Sequence, residues 1–170
     1  MSRRDATRAE IAAFLRELGR RFKGSGSLFL VGGSMLVYQG YRIELTSGDD
    51  GEFIQALRAT QRLITLNVEA ASPADFIPLP QGWRERSTFL TREGGLTIYA
   101  FDPLSTALAK IERSQQRDSD DVLALCQTKA LSVDEIIAGF ENIAMPSRYL
   151  HNVKTAFARR GIGSRACPRR

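Results

Sequence analysis

Histidine is nearly missing from this chain, with one, His151, in 170 residues. Without a second, no imidazole pair can build a zinc site, and no Ser-His-Asp or Cys-His constellation can be argued. His151 lies among Tyr149, Leu150 and Val153 on a late helical stretch, which suits packing or surface. Cysteine is almost as scarce. Cys126, on the apolar stripe of a helix, and Cys167, near the end, form no disulfide or ligand spacing, so a reducing cytoplasm is expected. Apolar runs such as 28–31 are far short of the roughly 20 residues that a bilayer requires, so no membrane contact is expected. The arginines at 3, 4 and 8 are interrupted by Asp5, Glu10 and Glu17, with no apolar segment or small-residue cleavage site after them, unlike a targeting peptide.

What is present is an ordinary soluble composition, 43% hydrophobic and 25% charged, enough for one domain with a helical appendage. Lysine and arginine number 24 against 19 acids, a net charge of +5. Part of that excess lies in a Gly- and Arg-rich tail, 159–170, with no hydrophobic period, which is expected to be disordered. A modest basic excess suits phosphate contact and equally suits a solvated surface.

The hydrophobic period changes twice along the chain. Ile11, Phe14, Leu15, Leu18 and Phe22 recur at helical spacing, so residues 5–22 predict an amphipathic helix. Residues 23–27 read as a loop and 28–31 as a buried strand, ending at Gly32, Gly33 and Ser34. Residues 35–38 are expected as a short helix closed by Gly40, then 42–46 as extended chain and 52–63 as a helix. From 64 to 70, Ile64, Leu66, Val68 and Ala70 alternate with Thr65, Asn67 and Glu69, which predicts a strand with one polar face. A proline-broken loop follows at 72–83, then a hairpin at 88–91 and 96–101, with Trp83, Phe89 and Tyr99 expected to cover the sheet. Beyond 102 the pattern is helical only, at 103–113, 119–129, 132–142 and 146–158, with Asp118, Ser132 and Pro146 as start signals. The expected class is α+β, a small mixed sheet with helices on one face followed by a helical part. The expected divisions are a core at 1–101, helices packed on it at 102–158 and the tail.

Two regions can carry chemistry. Glycines at 32 and 33 with Ser34 let backbone N–H groups approach an anion at a helix start, for which a triphosphate is the natural guest. A tight strand-to-helix turn needs the same residues. Lys110 and Arg113, three apart on one helix face, can reach a common phosphate. The other reading is a salt-bridged surface helix in which Arg117 pairs with Asp121.

The segments Leu30-Val31-Gly32-Gly33-Ser34 and Gly40-Tyr41-Arg42, the run 71–78, and Lys110-Ile111-Glu112-Arg113 followed by 117–122 together resemble polymerase-beta-type nucleotidyltransferases. The likeness is nearest to bacterial nucleotidyltransferase-like proteins akin to AbiEii-type toxins, and it covers roughly residues 10–130 in order. It implies two Mg²⁺ ions held by an acidic pair one residue apart and by a third carboxylate on a neighbouring strand. In the matching interval the candidates are Asp50 and Glu52, with Glu69 as the third acid. Asp50, Glu52 and Glu69 would hold metal, Gly32, Gly33, Ser34, Lys110 and Arg113 the nucleotide.

Asp49 and Glu52, however, sit three apart before a helical period, a capping arrangement, and the flanks Ser47, Gly48 and Gly51 are turn residues. On that reading the acid strand is shortened or lost between 42 and 49, with Ile43-Glu44-Leu45 as its remnant. The resemblance thus implies either transfer of a nucleotide from a nucleoside triphosphate to a hydroxyl of protein, RNA or small molecule, or an inactive binding module. The latter could be one half of a toxin–antitoxin-type pair.

Overall fold

The computed structural model describes residues 6–32, 38–66, 68–113, 118–128 and 131–143. The first helix, α1 (Arg8–Arg21), starts where Thr7 and Glu10 satisfy each other's backbone N–H groups in a capping box. Its apolar stripe, Ile11, Phe14, Leu15 and Leu18, is buried. The chain then forms β1 (Ser25–Gly32) and β2 (Tyr38–Ser47), α2 (Asp50–Leu63), the two-residue β3 (Glu69–Ala70), and the hairpin β4 (Thr88–Glu93) and β5 (Leu96–Ala100). The sheet order is β3-β2-β1-β5-β4, with β1 parallel to β5 and antiparallel to β2. The class is therefore α+β with a mixed sheet, as its two kinds of hydrophobic period imply.

Strand alternation decides which side chains meet the helices. Leu28 and Leu30 of β1, Tyr41 of β2, and Leu96 and Ile98 of β5 join the stripes of α1 and α2 in one core. Phe53 is 1% exposed, edge-on to Phe22 at 5.5 Å and tilted on Tyr41 at 5.6 Å. Its burial contributes about 2–3 kcal/mol. Phe29, on the opposite face, stacks on Tyr99 at 5.2 Å.

Several expectations need correction. Gly40 does not close a helix. It lies inside β2, where a Cβ would come within 2.8 Å of the Ala71 Cβ, so glycine serves close approach of the neighbouring chain. Of the residues 35–38 expected as that helix, Tyr38 begins β2 and 35–37 lie outside the described residues.

The acid strand is neither short nor missing, because β2 runs its full ten residues from Tyr38 to Ser47. The alternation is real as burial only from 64 to 68, where Ile64, Leu66 and Val68 pack on the core; Ala70, expected on the same face, is exposed, and only Glu69 and Ala70 join the ladder. The backbone there is satisfied otherwise. Ile64 N–H closes α2 on the Thr60 carbonyl, Leu66 N–H donates to the Ile64 carbonyl, and the Gln61 amide donates to the Val68 carbonyl.

The hairpin turn is tighter than expected, at Gly94-Gly95. Gly94 has φ +59°, and a Cβ there would run into the Gly19 carbonyl of α1.

The chain divides into two compact units, Met1–Ser72 with Ser87–Phe101, and Pro73–Arg86 with Asp102–Arg170. The proline-broken loop thus belongs with the helices. It carries a 3₁₀ turn (Pro73–Asp75) and α3 (Trp83–Arg86), so Trp83 lies in the second unit rather than with Phe89 and Tyr99. The helices α4 (Pro103–Arg113), α5 (Asp118–Gln127) and α6 (Val133–Asn142) bury Leu108, Val122, Cys126, Ile136 and Phe140 together with Ile77.

Asp102 starts α4. Its carboxylate accepts from the N–H groups of Leu104 and Ser105 and from the Ser105 hydroxyl, and Pro103 occupies the first helical position, where no N–H is needed. Arg86 of α3 forks onto the same carboxylate at 3.0 and 2.8 Å. The helix expected at 146–158, His151, Cys167 and the basic tail lie outside the described residues.

Candidate functional site

Residues i and i+2 of a strand share a face, and β2 uses this. Tyr41, Ile43 and Leu45 turn to the core, while Arg42 and Glu44 lie on the other face, where Arg42 is in register with Phe29. Glu69 is in register with Gly40, which places it on the face that Arg42 and Glu44 share.

The Arg42 Nε and Nη2 donate to one oxygen of Glu44, Oε1, at 3.3 and 3.2 Å, and Nη1 donates to the Ser72 hydroxyl at 3.4 Å. Two positions one residue apart on a strand beside Glu69 are therefore a cation and an anion rather than two carboxylates. In the sequence Arg42 is only the end of the Gly40-Tyr41-Arg42 match, with no role at the site. The signal for it was the charged-apolar alternation Arg42-Ile43-Glu44-Leu45 soon after the glycines.

Asp50 and Glu52 stand elsewhere. Asp49 caps α2, accepting from Glu52 N–H at 2.8 Å, and the two acids occupy its first turn, where a helix favours negative charge. Two residues apart on a helix, side chains diverge, so these carboxylates do not address one ion. Asp50 bears on Tyr41 of the inner sheet face, whose hydroxyl is pushed above the ordinary tyrosine range by burial first and by the Asp50 charge second. Glu52 Oε2 lies beside Gly48.

Among the described residues, no three His, Cys, Asp or Glu side chains are grouped to hold a metal ion. A two-ion clamp needs converging hard oxygens, and Asp50, Glu52 and Glu69 do not converge, so this donor set does not fit it. Replacing Asp49 by alanine is expected to cost about 1 kcal/mol, read by urea denaturation, because the Glu52 N–H loses its acceptor.

Gly32 is the last residue of β1, opposite Tyr38 beyond an irregularity in the ladder, and Gly33 and Ser34 lie outside the described residues. Lys110 and Arg113 belong to the second unit, where α4 meets α5. Arg113 forks onto Asp118 at 3.0 and 2.6 Å, and Lys110 reaches Asp121 at 2.5 Å and Asp118 at 3.4 Å. The hydrogen bond that Arg113 donates to Asp118 raises the Arg113 pKa, burial opposes it, and the charges of Asp118 and Asp121 add to the rise. Both cations named as phosphate ligands thus hold carboxylates of the neighbouring helix. Arg117, the expected partner of Asp121, lies outside the described residues.

Among the described residues, no helix is long and apolar enough to cross a membrane. Residues 9–157 match a family model described as nucleotidyltransferase of unknown function (DUF6036). No curated protein and no solved structure matches the chain.

Proposed function

The chain belongs to that family of nucleotidyltransferases of unknown function, and on this premise we propose that it is a nucleotide-binding module that holds a nucleoside triphosphate without transferring it. The observation that carries this is the Arg42–Glu44 pair on the outer face of β2. Nucleotidyl transfer by two Mg²⁺ ions requires carboxylates to gather those ions around the attacking and leaving oxygens. A guanidinium is always protonated, so Arg42 repels an ion there and neutralises Glu44 instead. What remains is a guanidinium paired with Glu44, and a guanidinium fork is suited to holding phosphate oxygens. Such a module would also suit one half of a toxin–antitoxin-type pair.

The test is an equilibrium titration with ATP fluorescently labelled on its ribose, run beside a pyrophosphate-release assay with each of the four ribonucleoside triphosphates and Mg²⁺. Saturable binding with no pyrophosphate above the protein-free blank is the expected result. Mg²⁺-dependent pyrophosphate release that disappears in Glu69→Ala would establish the opposite reading, a working transferase that moves a nucleotide onto a hydroxyl.

A further inference from the structure

The two edges of the sheet are finished differently. β3 is two residues long, a short edge that discourages pairing with another chain, whereas β4 runs six residues at the other end of the order. Among the described residues no strand pairs with the free side of β4, and α1 meets it at the turn end, where Gly19 lies against Glu93 and Gly94. Five large apolar side chains are exposed among the described residues. The two that are chain neighbours, Phe89 at 58% and Leu90 at 41%, are both on this strand. It carries no proline or lysine, the residues that commonly guard an edge.

The ladder with β5 adds a second feature. Phe89 pairs with Tyr99 and Thr91 with Ile98, so Leu90 is left over. Without that extra residue, Phe89 and Arg92, three apart, would point to opposite faces. With it, both stand on the outer face, opposite Tyr99 and Thr97, which are two apart on β5. Phe89 rests edge-on against Tyr99 at 6.1 Å and keeps more than half of its surface exposed. Arg92 is exposed and makes no ion pair or side-chain hydrogen bond among the described residues. A ring and a guanidinium thus share one face of one open edge.

We propose that β4 is a self-association edge, on which two copies of the chain pair β4 against β4, antiparallel, and join their sheets into one. A two-fold dimer needs a patch that complements itself, so that residue i meets j and j meets i. Directly opposite residues of an antiparallel pair also share a face. With the axis between Leu90 and Thr91, Phe89 of each copy lies opposite Arg92 of the other, and both are on the outer face. Each guanidinium then covers a ring of the other copy, and the two contacts are equal by symmetry. The same register sets Glu93 against Thr88, so no like charges stand directly opposite each other. The axis passes through the irregularity at Leu90, so the bend of one edge meets the same bend in the other.

The experiment is sedimentation velocity of the full chain, without nucleotide, over a series of concentrations. The expected result is a monomer–dimer equilibrium with a dissociation constant of about 1–100 µM, the weak range for an interface built on one strand pair. Phe89→Lys sets a lysine against Arg92 and weakens dimerisation about tenfold or more. Arg92→Glu, at a position with no side-chain bond to lose, weakens it too. The double variant, Phe89→Lys with Arg92→Glu, places opposite charges across the axis and restores it. That rescue separates pairing at β4 from a general loss of fold. The melting temperature of each variant is read alongside, and Arg92→Glu decides the matter where Phe89→Lys melts early. A chain that stays monomeric at concentrations above this range overturns the proposal. So does a dimer that both single variants leave unchanged, because it uses another surface. A double variant that associates no better than the single ones overturns it as well.

Discussion

Asp102→Ala is expected to lower stability by about 3–5 kcal/mol, the range for breaking a buried ion pair from one side. Asp102 is fully buried and serves three tasks at once. It accepts two backbone N–H groups at the start of α4, accepts the Ser105 hydroxyl at 2.6 Å, and receives both nitrogens of the Arg86 fork. Alanine leaves the first turn of α4 without acceptors in a place water does not reach. Arg86, 37% exposed, regains part of its hydration, which points to the lower end of the range. Asp102→Asn preserves shape and can still accept from the helix, so it should cost less, about 1–2 kcal/mol, by weakening bonds that are now charge-assisted. Urea denaturation of the three chains measures both values. Equal losses for alanine and asparagine would show that the charge, rather than the helix cap, is what matters.

The second large effect is at Asp118, which is 3% exposed and joins the end of α4 to the start of α5 through Arg113 and Lys110. Asp118→Ala strands the Arg113 fork and leaves Lys110 with Asp121 alone, so a loss of about 3 kcal/mol is expected. The same pairing separates two roles for Lys110. If its charge serves the junction of α4 and α5, Lys110→Met lowers stability by about 1–2 kcal/mol and leaves ATP affinity within twofold. A Lys110→Met chain of unchanged stability and much weaker affinity would return the residue to the phosphate site.

Elements whose signal is local were legible in the sequence. The stripe from Ile11 to Leu18, the capping pattern at Asp49, and the three later helices need only neighbours three or four residues away, and the structure has each of them. The alternation holds as burial for Ile64, Leu66 and Val68 but not for the exposed Ala70, and burial does not say whether the backbone finds a ladder. Gln61 and the end of α2 satisfy that stretch instead.

The charged residues were the least legible part, because their partners lie across space. Asp121 meets Lys110 eleven residues back and on another helix, which no i, i+4 rule reports. Arg42 stands in the sequence only as the end of the Gly40-Tyr41-Arg42 match, and a lone basic residue in a strand reads as surface until the register puts it beside Glu44, Glu69 and Ser72.

The order β3-β2-β1-β5-β4 has a consequence for how the chain is made. β1 finds its antiparallel neighbour β2 within a few residues, but its parallel neighbour β5 arrives about 70 residues later, with Gly26 opposite Leu96. At ordinary synthesis rates that interval lasts about 4–14 s. Throughout it, one edge of the central strand, carrying Leu28, Phe29 and Leu30, stands open as a template for any other extended chain. The nascent protein is therefore most vulnerable to wrong pairing between the emergence of β2 and that of β5. A ribosome-bound chain halted before residue 87 would hold an unfinished sheet.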